Sequence, residues 1–226
     1  MSLHQTIEAL FAQGASADKT AAREAFFELQ RALGRGEIRA AERDPASPTG
    51  WRVNAWVKQG ILLGFRFGDT VDVSADHGKW PFYDKDTMPL KKPGVGAGVR
   101  IVPGGSTIRE GAYVASSVVC MPPMYVNIGA YVDEGTLVDS HALVGSCAQI
   151  GRRVHLSAGA QIGGVIIRAA EGQPLVVPEG AVVVPGARAV SVGAGKEWGL
   201  SLATPVIVKY RDDRTDTRTE LDSWLR

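Results

Sequence analysis

Three carboxylates, Asp133, Glu134 and Asp139, fall within one short stretch, and two imidazoles, His141 and His155, follow closely behind. Carboxylate and imidazole together are the usual equipment for moving a proton. The histidines are also zinc-ligand types, but a catalytic zinc asks for three protein ligands and a water. The other two histidines, His4 and His77, lie elsewhere in the chain, so no metal site is expected. Cys147, in GSCAQ, is a nucleophile type with no base beside it in sequence. Arg152, Arg153, Lys196, Lys209 and Arg211 are suited to phosphate contacts. Lys196 is favoured among them, since the glycines of GAGKEWG let backbone approach a ligand closely. Read singly, the acids are also ordinary turn residues, because a short carboxylate hydrogen-bonds its local backbone. An isolated cation is equally an ordinary solvated charge.

What must position these residues is a spacing rule. Stepping by six from Val102 reaches Ile108, Val114, Cys120, Val126, Val132, Val138, Val144, Ile150, Leu156 and Ile162, an apolar residue each time. Four residues after the later ones stand Thr136, Ala142, Ala148, Val154 and Ala160, all small or β-branched. This hexapeptide period is the signature of a parallel β-helix, in which stacked coils bury a continuous aliphatic ladder. Cys120 falls on the ladder and is read as core; Cys147 falls outside it. The phase breaks at IIRAAEGQP and resumes with Val177, Val183 and Ala189, supported by Ala181 and Ala187.

A stack of coils needs covering at both ends, and the flanks suit that purpose. Residues 16–33 carry Ala22, Ala25, Phe26, Leu29 and Leu33 at helical spacing, ended by Gly34 and Gly36. WRVNAWVKQGILLGFRF reads as a buried helix running into a short strand. TPVIVKY reads as a strand, and TRTELDSWLR as a polar tail with helical character. The expected organisation is a helical and mixed domain over residues 1–98, a β-helix over 99–192, and a closing strand and tail over 193–226.

Composition narrows the partners. The chain has 226 residues, 45% hydrophobic content and a formal charge of +1, so no large field asks for a nucleic-acid backbone or an anionic membrane. No apolar run approaches the ~18 residues of a membrane span. Two cysteines are too few for a disulfide framework, and the N-terminal MSLHQTIEALFAQ has neither a basic nor an apolar leader segment. A reduced, cytoplasmic protein is expected.

The stretch MYVNIGAYVDEGTLVDSHALVGSCAQIGRRVHLSAGAQIGGV resembles the core of the tetrahydrodipicolinate N-succinyltransferase family. The likeness extends to WRVNAWVKQGILLGFRF, FYDKDTMPLKK, VPEGAVVVPGARAV and LATPVIVKY. It implies a left-handed parallel β-helix with an N-terminal helical domain, assembled as a homotrimer with active sites between subunits. It also implies transfer of succinyl from succinyl-CoA to the amine of a linear amino-oxo-dicarboxylate in lysine (diaminopimelate) biosynthesis, with no permanently bound cofactor. Arg100, in GVRIVPG, matches the family's arginine that pairs with a substrate carboxylate, a task suited to a planar guanidinium. Asp139 matches the family's aspartate near the substrate amine, and Glu134 joins it as a second acidic candidate. His141 either lines the acceptor pocket or is an ordinary corner residue. Lys196, Arg152 and Lys209 are the candidates for the CoA phosphates. Members of the family are longer, with further coils and a second carboxylate where this chain passes straight through GGVIIRAAEGQPLVVPEG. Glu171 and Glu179 lie beside that junction and could replace the missing acid. The departure leaves open another donor such as acetyl-CoA, another acceptor, or a non-catalytic trimeric β-helix that binds a small dicarboxylate.

Overall fold

The computed structural model describes residues 1–48, 50–75, 79–163 and 176–211. Its centre is a parallel β-helix whose two-residue strands are joined by four-residue corners. One face stacks Tyr113–Val114, Tyr131–Val132, Gln149–Ile150 and Val176–Val177. The second stacks Arg100–Ile101, Val119–Cys120, Leu137–Val138, His155–Leu156 and Ala181–Ala189, with Ser201–Tyr210 antiparallel at its edge. The third stacks Thr107–Ile108, Tyr125–Val126, Leu143–Val144 and Gln161–Ile162. Tyr131 pairs with Tyr113 below and Gln149 above, so a coil is 18 residues, three hexapeptides. The second residue of each strand points inward. Val126, Val132, Val138, Val144, Ile150, Leu156 and Ile162 form one buried cluster with the small corner residues Ala142, Ala148 and Ala160.

The first coil departs from the six-step count. Ile101, not Val102, lies opposite Cys120, and Arg100 lies opposite Val119. The extra residue is absorbed in the Pro103-Gly104-Gly105 corner, where both glycines take positive φ, 136° and 95°, conformations that exact little from a residue without Cβ. A Cβ on Gly104 would stand 2.7 Å from the Pro122 ring of the next coil. The resumed repeat also ends earlier than the spacing implies. Val177 and Val183 are inside, but Ala187 and Ala189 are exposed and pair with Ala203 and Ser201. After Val183 the chain runs straight out as a long hairpin, because an antiparallel partner satisfies its backbone and no further corner is made. The IIRAAEGQP excursion, with Glu171, and the tail TRTELDSWLR lie outside the described residues.

Three helices form the N-terminal domain: α1 (Leu3–Ala12), α2 (Lys19–Gly34) and α3 (Ala55–Phe67). Helix α1 starts with a reciprocal capping box between Ser2 and Gln5, a serine-x-x-glutamine signal visible in the sequence. Asp18 caps α2 by accepting from the Ala21 amide. The WRVNAW segment runs in the reverse order to the sequence reading: Trp51–Val53 is a strand paired with Ala41–Arg43, and the helix follows it through GFRF to Phe67. The strand-like run Ile61–Phe65 stays helical because Gly60 and Gly64 open one side of α3 to its neighbours. A Cβ at Gly60 would lie 2.3 Å from Leu29, and one at Gly64 2.4 Å from Phe26. Ile128 and Cys147, from corners between the third and first faces, complete this helical core, so the domain docks along that edge of the prism.

The segment leading from the helices into the first coil is held by a bidentate pair. Arg23 donates to both oxygens of Asp86 at 3.1 and 2.7 Å. That hydrogen bonding holds the Asp86 carboxyl at about 2, against an ordinary 3.8. Folding lowers this pKa, so the stabilisation is fully present above about pH 4 and is lost as the pH falls toward 2. Asp86→Asn is expected to be less stable at neutral pH and to show a flatter fall between pH 4 and 2. Urea midpoints measured across that range check it; parallel curves for the two proteins would contradict it.

Candidate active site

The three corners between faces repeat one local device. Asn127 accepts from the Ile128 amide at 2.8 Å, Asp133 from Glu134 at 2.9 Å and Asp139 from Ser140 at 2.7 Å. Each is the first residue of its corner, and the turn role read from sequence for these side chains is confirmed. The third residue of each corner takes positive φ. Gly129 and Gly135 do so at little cost, but His141 does so too, at φ 61°. A side chain in the left-handed region is uncommon and strained. His141 is exposed and its amide donates to the Pro123 carbonyl at 2.5 Å.

Asp139 stands at the edge between the second and third faces, away from the docked helices. With Oδ1 committed to its own corner, Oδ2 is the oxygen left over, and it points toward His155 Nε2 at 3.7 Å. His155 is one coil further along, paired with Leu137. Arg100 is on the same face. Its strand pairs with Val119, which pairs with Leu137, so the guanidinium and carboxylate arise two coils apart, about 10 Å along the axis. An open-chain seven-carbon dicarboxylate spans a similar length.

The other sequence candidates are distributed differently. Glu134 lies at the opposite edge of the Leu137–Val138 strand, between the first and second faces, where its carbonyl accepts from the Arg153 amide at 2.8 Å. That edge is a charged ladder: Arg152 sits 3.6 Å from Asp133 Oδ2 and Arg153 is 2.9 Å from Glu179. Glu179 is therefore engaged there and not beside Asp139. Lys209 is on the edge strand, opposite Val182, which itself stacks on His155. Lys196 is in a short helix, Gly193–Glu197, at the hairpin tip, roughly 20 Å beyond the last coil. Within one chain the structure gathers Arg100, Asp139, His141 and His155 on one side, and sets Glu134, Arg152 and Lys196 apart from them. Among the described residues no three His, Cys, Asp or Glu side chains converge as metal ligands.

Both thiols are buried and unpaired. Burial pushes Cys120 up to about 12 and Cys147 up to about 11, so neither supplies a thiolate nucleophile. A cavity of about 660 Å³ opens in the N-terminal domain, lined by His4, Glu8, Arg39, Glu42, Arg52, Asn54 and Trp56 among others. Its charges are largely spent on each other: Arg52 pairs with Glu42, His4 with Glu8, and Arg39 donates to Gln149. At the Asp139 edge, by contrast, the Asp139 and His155 side chains are half-buried and His141 is exposed.

His155 is the residue that sequence reasoning left without a place beside Asp139. The signal was present: 18 residues from Leu137 lands on it, one coil above the strand that leads into Asp139.

Comparison with known proteins bears on the family. The family model described as tetrahydrodipicolinate N-succinyltransferase N-terminal matches residues 2–67. A 2,3,4,5-tetrahydropyridine-2,6-dicarboxylate N-succinyltransferase of Bradyrhizobium diazoefficiens is 35% identical over 259 residues, covering 90% of each chain. One from Rhodopseudomonas palustris is 34% identical over 281 residues, covering 99% of this chain and 98% of its own. One from Sodalis glossinidius is 41% identical over 176 residues, covering 73% and 61%. The 281-residue alignment is longer than the 226 residues here, so about 57 internal positions of that relative have no counterpart in this sequence. With its six-residue ladder, its helical N-terminal domain and these relatives, the chain belongs to the tetrahydrodipicolinate N-succinyltransferase family of acyltransferases.

Proposed function

We propose that the chain transfers a succinyl group from succinyl-CoA to the amine of tetrahydrodipicolinate in its open form, L-2-amino-6-oxopimelate, in the cytoplasmic lysine and diaminopimelate pathway. The observation that carries this reading is the placement of Arg100 and Asp139 on one side, two coils apart. Arg100 holds the distal carboxylate, and Asp139 Oδ2 receives a proton from the substrate ammonium. The freed lone pair attacks the thioester carbon. Collapse breaks the carbon–sulfur bond, the thiolate takes the second nitrogen proton to leave as CoA thiol, and Asp139 returns its proton to solvent. A backbone N–H at a corner is suited to stabilising the oxyanion.

We read the site as completed between subunits of a homotrimer. The exposed apolar hairpin carrying Trp198, Leu200, Leu202, Ile207, Val208 and Tyr210 supports that, being more apolar surface than a hairpin normally leaves in water. In such an assembly Lys196, at the hairpin tip, and Lys209 and Arg152, at the coil edges, contact CoA phosphates from neighbouring chains. Glu134 reaches the reaction only across a subunit boundary, where it would supply the second carboxylate.

Thiol release with succinyl-CoA or acetyl-CoA, against tetrahydrodipicolinate or L-2-aminopimelate, tests the reading. Free CoA is expected only when donor and acceptor are both present, with succinyl-CoA the faster donor. Absence of turnover with either donor overturns it and leaves a binding protein; faster turnover with acetyl-CoA revises the donor. Arg100→Ala is expected to raise the acceptor KM by roughly 10- to 100-fold, the loss of one charge-assisted hydrogen bond, and to leave the succinyl-CoA KM in place. An equal rise in both constants would argue against a contact with the acceptor.

A further inference from the structure

The edge that carries Asp139 contains a polar atom with nothing to bond. His155 Nε2 is sealed from solvent and has no hydrogen-bond partner, and the group it faces is Asp139 Oδ2, 3.7 Å away. That separation exceeds a hydrogen bond by about half an ångström, within the ordinary swing of a side chain. Buried polar nitrogens are nearly always satisfied, so the unpaired pair describes a site waiting to close.

We propose that His155 is a positioning residue for acyl transfer, its Nε2–H holding Asp139 Oδ2 in the orientation that receives the substrate proton. The inference rests on the reading of Asp139 as the base. Several features of the structure converge on it. Oδ1 is already taken by the Ser140 amide at 2.7 Å, which leaves Oδ2 as the reactive oxygen. A carboxylate only accepts, so the bond requires the proton on Nε2. It occupies one lone pair of Oδ2 and leaves the other directed at the amine. The backbone of His155 is fixed by its pairing with Leu137 on one side and Val182 on the other, so the imidazole is aimed from a rigid strand. Nε2 itself is out of contact with solvent and acts through Asp139, not on the substrate. In the step it supports, an N–H bond of the ammonium breaks and an O–H bond forms at Oδ2; His155 keeps its own proton throughout.

The test uses the full chain, succinyl-CoA and L-2-aminopimelate. His155→Leu keeps the volume and removes the donor; kcat is expected to fall roughly 10- to 100-fold, the loss of one hydrogen bond to a charged group, with the succinyl-CoA KM unchanged. His155→Gln, whose amide N–H reaches a similar point, is expected to recover much of that loss. The double variant with Asp139→Asn should be no slower than Asp139→Asn alone. If both His155 variants are equally slow, or if the two losses multiply in the double variant, His155 is a packing residue and the inference fails while the acyl-transfer reading stands. A wild-type chain that releases no thiol removes both.

Discussion

Asp139→Asn is expected to lower kcat by roughly 10²- to 10⁴-fold, the contribution of a positioned base, while the protein folds as before. The fold itself explains why this substitution isolates the chemistry. Asn127 occupies the equivalent place at another corner and accepts from the next amide at 2.8 Å, as Asp139 does at 2.7 Å. An asparagine at 139 therefore keeps the turn through its Oδ1 and loses only the charge and the basic oxygen. Melting temperature should change little and thiol release should nearly vanish. Turnover within a few-fold of wild type, in a protein of unchanged melting temperature, would show that the amine loses its proton elsewhere. Glu134 would then be the next residue to replace, because Asp133 and Glu179 on the same adjoining edge are each paired with an arginine.

Leu156→Ala is expected to destabilise the chain by about 2–5 kcal/mol, the range for deleting a buried leucine where surroundings relax only partly. Leu156 is fully buried and is paired in register with Val138 below and Val183 above. Each coil contacts only its neighbours, so a void at this rung weakens two interfaces at once. It also lies beside Val183, the rung from which the hairpin leaves the stack. Gln161→Ala, at an exposed outward position of the next strand, serves as the control and should change stability by no more than about 0.5 kcal/mol. Chemical denaturation of both variants checks the contrast. Equal losses would mean that the ladder does not carry the stability assigned to it.

Much of this architecture was legible because its rule is local and exact in count. A six-residue period fixes which side chains enter the core, and the inward set from Ile108 to Ile162 follows it without a gap. What the count could not show was where the chain departs from it. At Val102 a Pro-Gly-Gly corner takes one residue more, and glycine's freedom leaves no apolar mark to betray the shift. At Ala187 and Ala189 alanine fits a corner or a hairpin equally well, and only the partner strand, from residues 201–210, decides between them. The direction of WRVNAW was misread for a related reason: Ile61, Leu62, Leu63 and Phe65 look like strand residues until the helices that fill the notches at Gly60 and Gly64 are in place. At the site, Arg100 and Asp139 were found by likeness to a family, and their distance apart needed the stack. The His155 contact needed it too, because it joins residues that are remote in sequence and adjacent only through an 18-residue step.

That step sets the unit in which this fold can change length. Adding or removing 18 residues returns every later side chain to the same face and edge, leaving the chemistry where it was. Removing six would keep the aliphatic ladder inside yet carry each outward residue to the next edge, so a base at Asp139 would face a different neighbour. Removing one would turn the ladder itself outward. About 57 positions of the Rhodopseudomonas relative lack a counterpart in this chain. A β-helix that changes length in whole coils keeps the stacking of every remaining edge, so an acceptor edge such as the one proposed at Asp139 would keep its geometry.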